Sequence, residues 1–154
     1  MQDSFLFPIG GGNWYQVKDG NPAALAIYLR HYSARRYADQ RDRKLFCGPG
    51  EKMVLLTLDN KALFVWRKFI DDSGQQGVNC AVFRNEGKLL SSSLIKEAVS
   101  ICRRRWPKDR LYTYINPRKI KSTNPGYCFQ KAGWTKCGKT KGGLIILEYG
   151  GHFE

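Results

Sequence analysis

The spacing of apolar residues changes several times along the chain. Leu25, Tyr28, Leu29 and Tyr32 recur at helical spacing behind Asn21-Pro22, a polar cap followed by proline at the first helical position. This predicts an amphipathic helix running to about Ala38. Before it, FLFPIGGGNWYQV carries strand-forming residues broken by three glycines; after it, QRDRKLFCGPGE reads as a polar, glycine-containing loop. KMVLLTLD and ALFVWRKF predict two strands joined through Asn60-Lys61, with Asp59-Asn60 as the hairpin signal. A turn over Asp71 to Gln76 leads to a third strand, GVNCAVFRNEG. Ser91 to Ser93 predict the cap of a helix with Leu94, Ile95, Ala98, Val99, Cys102 and Trp106 along one side, and Pro107 ends it. RLYTYINP is a fourth strand: Leu111, Thr113 and Ile115 share the face expected to meet the core, and Tyr112 and Tyr114 share the other. Asn124 as N-cap, Pro125 at the first position and Gly133 just past the end predict a short helix over Pro125–Ala132. GLIILEYG is the last strand. The order is helix, three antiparallel strands, helix, strand, short helix, strand. It predicts one α/β domain over residues 1–154, with a mostly antiparallel central sheet flanked by helices and a helical crossover between the third and fourth strands.

Composition agrees with a globular domain: 154 residues, 42% apolar and 25% charged. The apolar runs are too short to span a bilayer, and the polar start MQDS is unlike a signal peptide, so a cytoplasmic location is expected. Five cysteines without a CxxC pair argue against a disulfide scaffold and a structural zinc site, and predict buried free thiols.

Charge changes the picture more. The formal net charge is +13, and it is clustered. Twelve Lys or Arg and one acid, Asp109, lie between Arg103 and Lys141; a second cluster holds Arg30, Arg35, Arg36, Arg41, Arg43 and Lys44. A polyanionic partner is implied, with nucleic acid as the default; a generic solubilising surface is the plainer alternative.

Several residues are candidates for chemistry. His31, one of two histidines, lies about 100° around the predicted helix from Tyr32, where it could act as a metal ligand or proton carrier at a cleft edge; an ordinary half-buried histidine is the alternative. Tyr127 falls in the first turn of the predicted short helix, and Arg118, Lys119 and Lys121 lead into that end. A phosphate or carboxylate could bind there, or Tyr127 could simply pack on the sheet. Cys128 beside it is a possible thiolate nucleophile. Aromatic residues make up 13% of the chain. Aromatic surfaces with flanking cations suit an enzyme that takes a base out of a duplex.

The element order over about residues 21–149, ending in strand, loop, helix, strand, short helix and strand, and with Asn124, Tyr127, Lys131, Gly133 and Trp134 in order, resembles the GNAT acyltransferase fold. That resemblance implies a Q/R-x-x-G-x-G/A loop holding the pyrophosphate of acetyl-CoA on backbone N–H groups. The corresponding segment is RNEGKLLSSS, with one glycine, Gly87, and an acid, Glu86; the signature is absent, which leaves acetyl-CoA open as a cofactor. Arg84 and Lys88 remain as nearby charge. His31-Tyr32-Ser33 and the NPR…NPGYCF…AGW segment are similar to the Mom family of phage DNA-modification proteins, which are GNAT-like without the acetyl-CoA loop. This resemblance implies transfer of a carbamoylmethyl-like group to the N6 amine of adenine in double-stranded DNA, protecting it from restriction. It implies catalytic roles for His31, Tyr32 and Tyr127, with Asn116 nearest the place of the family's acid, and an iron ion as a candidate cofactor with His31 as ligand. DNA contacts are expected from Arg35, Arg36, Arg118, Lys119 and Lys121. A conventional acetyl-CoA-dependent GNAT N-acetyltransferase and a non-catalytic nucleic-acid-binding protein are the alternatives.

Overall fold

A computed structural model of the chain describes residues 9, 12–31, 45–70, 74–120 and 124–150. The elements in chain order are β1 (Trp14–Val17), α1 (Pro22–Leu29), β2 (Glu51–Thr57), β3 (Ala62–Lys68), β4 (Val78–Asn85), α2 (Ser91–Arg105), β5 (Leu111–Ile115), α3 (Tyr127–Lys131), β6 (Trp134–Lys139) and β7 (Ile145–Tyr149). The strands form one sheet in the order β1-β2-β3-β4-β5-β7-β6. Every neighbouring pair is antiparallel except β4 and β5, which are parallel and joined through α2, as the helical crossover requires.

The sheet buries both faces. On one, α2 and α3 cover a core containing Phe64, Trp66, Val78, Leu111, Phe129 and Trp134; on the other, α1 covers Val54, Leu63, Val65 and Val82. This two-sided burial explains why β2 and β3 read as continuous apolar runs. Two core tryptophans also find polar partners: Trp14 Nε1 donates to Leu94 O at 2.9 Å and Trp66 Nε1 to Ala98 O at 3.2 Å, fixing α2 against the sheet.

Several expectations are corrected. The first helix ends at Leu29 with Arg30 as its C-cap, so His31 follows the helix instead of lying on it. The serines do not cap α2: Leu90 holds the N-cap position, and Ser91 is already helical. The short helix starts at Tyr127, because Gly126 takes the N-cap position in the left-handed region (φ 84°) and Asn124 only forms the preceding turn. An added Cβ at Gly126 would stand 2.9 Å from Leu147 Cδ1 and 3.3 Å from Ile115 Cγ1, so the tight approach to β5 and β7 also requires glycine. β6 has no counterpart among the expected strands. It is an edge strand in which only Trp134 is buried, and its lysines hide the strand pattern. Of the five thiols, all free, Cys47, Cys80 and Cys102 are buried, Cys128 is half-buried and Cys137 is exposed.

Candidate active site

The site originates in a defect of the sheet. Val65 of β3 pairs with Val82 and Trp66 with Cys80, so Ala81 is an extra residue in β4. Such a bulge bends its strand away from a neighbour. On the other side, β4 and β5 pair only over Val78↔Leu111, Asn79↔Tyr112 and Cys80↔Thr113. The Thr113 hydroxyl donates to Cys80 O at 2.8 Å and closes the last rung. Beyond it the strands part, and a cleft of about 500 Å³ opens between them. That volume suits a small molecule or a nucleobase.

The cleft cuts through the sheet. Phe83 of β4 and Cys128 and Phe129 of α3 wall the side that α2 and α3 cover. Asn79, Ala81 and Tyr114 line it together with His31, which follows α1. Tyr112 and Tyr114 share a strand face as expected, with ring centroids 5.6 Å apart, although Tyr112 is itself fully buried. Asn116, Lys119, Asn124 and Tyr127 line the cleft beyond the end of β5.

Each polar group has a definable state. His31 is buried, and its pKa is lowered to about 4, first by burial, then by the positive charge of Arg84. A hydrogen bond to the Phe83 backbone acts in the opposite direction. The ring is therefore neutral at physiological pH. With one nitrogen donating to Phe83 O, the other carries the acceptor lone pair. Asn116 builds a turn: its Oδ1 accepts from the Arg118 amide and its carbonyl from the Lys119 amide, each at 3.1 Å. Tyr127 is 54% exposed on the rim, with Lys131 Nζ 5.9 Å from its ring centroid. Arg118 Nη2 donates to Gly142 O at 2.8 Å, tying the loop after β5 to the β6–β7 turn.

Four of the expected site residues, His31, Asn116, Lys119 and Tyr127, thus line one cleft, and Arg118 lies beside it. Tyr32, Arg35, Arg36 and Lys121 lie outside the described residues, as does His152. Two chemical expectations fail. Three amides at the start of α3 are consumed internally: Tyr127 N donates to Asn124 O, and Phe129 N and Gln130 N both donate to Gly126 O. That five-residue helix offers no anion cradle. The Cys128 thiol is pushed up by burial, against a smaller downward pull from nearby backbone amides, and is no ready thiolate. Sequence reasoning missed Asn79, a polar residue inside the apolar run VNCAV, which was the available signal.

The described residues do not fit the pyrophosphate of coenzyme A at the β4–α2 loop. Asn85 folds that loop onto itself: its Nδ2 donates to Leu89 O at 2.7 Å and Ser91 Oγ at 3.0 Å, and its Oδ1 accepts from Gly87 N at 3.0 Å. The Glu86 amide is taken by Lys61 O at 2.7 Å. The Glu86 carboxylate occupies the positive charge of Arg30 and Arg84, each at 2.7 Å; those guanidiniums lower its pKa to about 2. Nor do the described residues fit an iron ion. Among them, no three of His, Cys, Asp or Glu gather to hold a metal, and burial keeps the Cys80 and Cys128 thiols protonated. Among the described residues, no helix is long and apolar enough to cross a membrane.

No protein-family model matches the sequence, and no curated protein matches it. A solved structure does: an acyl-CoA N-acyltransferase from Pseudomonas aeruginosa is similar with a TM-score of 0.55 and 14% identity, over 89% of this chain and 98% of that one. At that identity the likeness is one of fold. The mostly antiparallel seven-stranded sheet with its parallel β4–β5 pair is thus a GNAT-like fold.

Proposed function

We propose that this protein is a transferase that adds a small group to the N6 amine of adenine in DNA, with the base extruded into the cleft between β4 and β5, as in the Mom family. The observation that carries the reading is the make-up of that cleft. Aromatic and apolar walls (Phe83, Tyr114, Phe129) surround a neutral, buried His31, and Lys119 and the exposed Tyr127 stand among the lining residues. A flipped base needs a flat apolar slot and cations for the phosphates on either side of it. Further cations follow on exposed β6, at Lys136 and Lys139, in a chain of net charge +13.

The transfer is a substitution at the donor's electrophilic carbon. The N6 lone pair forms the new C–N bond, the donor's leaving group departs with the bonding pair, and one N6 proton is released. The chain's own part is to hold and desolvate the amine. A neutral imidazole can accept an N6–H hydrogen bond, whereas a charged one would repel the developing positive nitrogen. Arg84 and the desolvated setting keep His31 in the useful form.

A second reading, an acyl-CoA-dependent N-acetyltransferase acting on another amine, is favoured by the acyl-CoA N-acyltransferase of like fold. The filled β4–α2 loop weighs against it.

Mass spectrometry of nucleosides from DNA of cells expressing the protein, alongside His31→Ala and Tyr127→Phe variants, tests the proposal. A new adenosine-derived mass that is lost with His31→Ala is expected. Unchanged nucleosides with folded, expressed protein would refute it, and tight acetyl-CoA binding by calorimetry would turn the choice to the second reading.

A further inference from the structure

We infer that Asn79 is the specificity residue of the cleft, reading the amino edge of the bound base through its carboxamide. The inference rests on the nucleobase reading above and deepens it. Asn79 is 7% exposed, and its Oδ1 has no hydrogen-bond partner. A buried, unsatisfied amide oxygen costs stability, on the order of 1–3 kcal/mol, unless something else supplies the donor. The carboxamide lines the cleft, so a ligand there can supply it.

Other polar groups of the cleft are otherwise engaged. The Thr113 hydroxyl donates to Cys80 O and Asn116 Oδ1 accepts from the Arg118 amide, while the acceptor nitrogen of His31 serves the second N6–H of the same amine. Asn79 sits in the last rungs before the strands part, two residues before the bulged Ala81, whose side chain is a single methyl group. A planar ring entering the split therefore meets the carboxamide at its edge. A carboxamide pairs a donor with an acceptor. Adenine offers the complement on either edge that carries N6: the N6–H donor with the N7 or N1 acceptor. Purine without the 6-amino group leaves Oδ1 unsatisfied.

The test is equilibrium binding of adenosine 5′-monophosphate and purine riboside 5′-monophosphate to wild type, Asn79→Leu and Asn79→Asp, with thermal unfolding of each. Wild type should prefer the 6-amino nucleotide by about tenfold or more. Asn79→Leu should bind both alike, near the wild-type affinity for purine riboside. Asn79→Asp, which keeps an acceptor for N6–H, should retain part of the preference. Because the wild-type Oδ1 is buried and unsatisfied, Asn79→Leu should unfold no lower than wild type, which separates a reading role from a structural one. Preference surviving in Asn79→Leu, or equal binding by wild type, overturns the assignment. If DNA from expressing cells carries modified adenine while the two nucleotides bind wild type alike, Asn79 falls and the nucleobase reading stands. If neither nucleotide binds and no nucleoside is altered, both fall.

Discussion

Replacing His31 with glutamine should flatten the acid dependence of stability between pH 7 and pH 5. The unfolded ring titrates near its ordinary value of 6.5, whereas the folded ring is held at about 4 by burial and by Arg84. A folded-state pKa below the unfolded one means that the unfolded chain takes up the proton first. The native state is then favoured above pH 6.5 and loses that advantage as pH falls toward 4. With these two values, the linkage relation gives a loss of about 2 kcal/mol between pH 7 and pH 5 from this one group. That corresponds to roughly 4–8 °C in melting temperature for a chain of this size. Glutamine retains an N–H donor for Phe83 O and cannot titrate. His152 is present in both proteins, so their difference isolates His31. Urea unfolding at pH 7, 6 and 5 provides the assay. The wild-type curve should fall more steeply than that of His31→Gln by about 2 kcal/mol over this range. Parallel curves would show that His31 is charged or solvated in the native protein, and would remove the neutral imidazole from the proposed chemistry.

Other outcomes follow from the same structure. Gly126→Ala places a Cβ against Leu147 and Ile115 at a φ of 84° and should cost on the order of 1–3 kcal/mol in denaturant unfolding. Glu86→Gln removes the shared partner of Arg30 and Arg84; these solvent-screened pairs should contribute little to stability in denaturant unfolding, while the two released guanidiniums should raise affinity for polyphosphate measured by calorimetry. Lys119→Ala combined with Lys136→Ala and Lys139→Ala should weaken DNA binding and make a plot of log affinity against log salt shallower, by about one unit for each phosphate that these lysines neutralise; an unchanged slope would place the DNA elsewhere. Maleimide labelling of the native chain should modify exposed Cys137 ahead of the other thiols, slowly because burial and Glu148 raise its pKa, and leave Cys80 and Cys102 protected, as peptide mass mapping would reveal.

The sequence was legible where one force dominated. β2, β3 and β4 are apolar runs bounded by turn residues, and α2 displays one apolar side, so hydrophobic burial alone identified them. It was less legible where a backbone detail decided. Gly126 moves the start of α3 because, in the left-handed region, it takes the N-cap position two residues beyond Asn124, to which the Asn-Pro pair points. The bulge at Ala81, which opens the cleft, leaves no mark in a sequence where Ala between Cys and Val is ordinary strand. The convergence of His31 with Asn116 and Tyr127 depends on a parallel pairing across the α2 crossover, which local spacing does not encode. Asn79 was visible as a polar intruder, but only the burial of its unpaired oxygen gave it a meaning.

Entry of an adenine into the split between β4 and β5 is the central claim. The most direct measurement is the amide and side-chain NMR spectrum of labelled protein titrated with a short adenine-containing single-stranded oligonucleotide. Concerted shifts are expected at Asn79, Ala81, Tyr114 and the His31 ring, with Lys119 and Tyr127 following at the rim. Shifts confined to the lysines of β6, with the Asn79 carboxamide and the His31 ring unmoved at saturation, would contradict it.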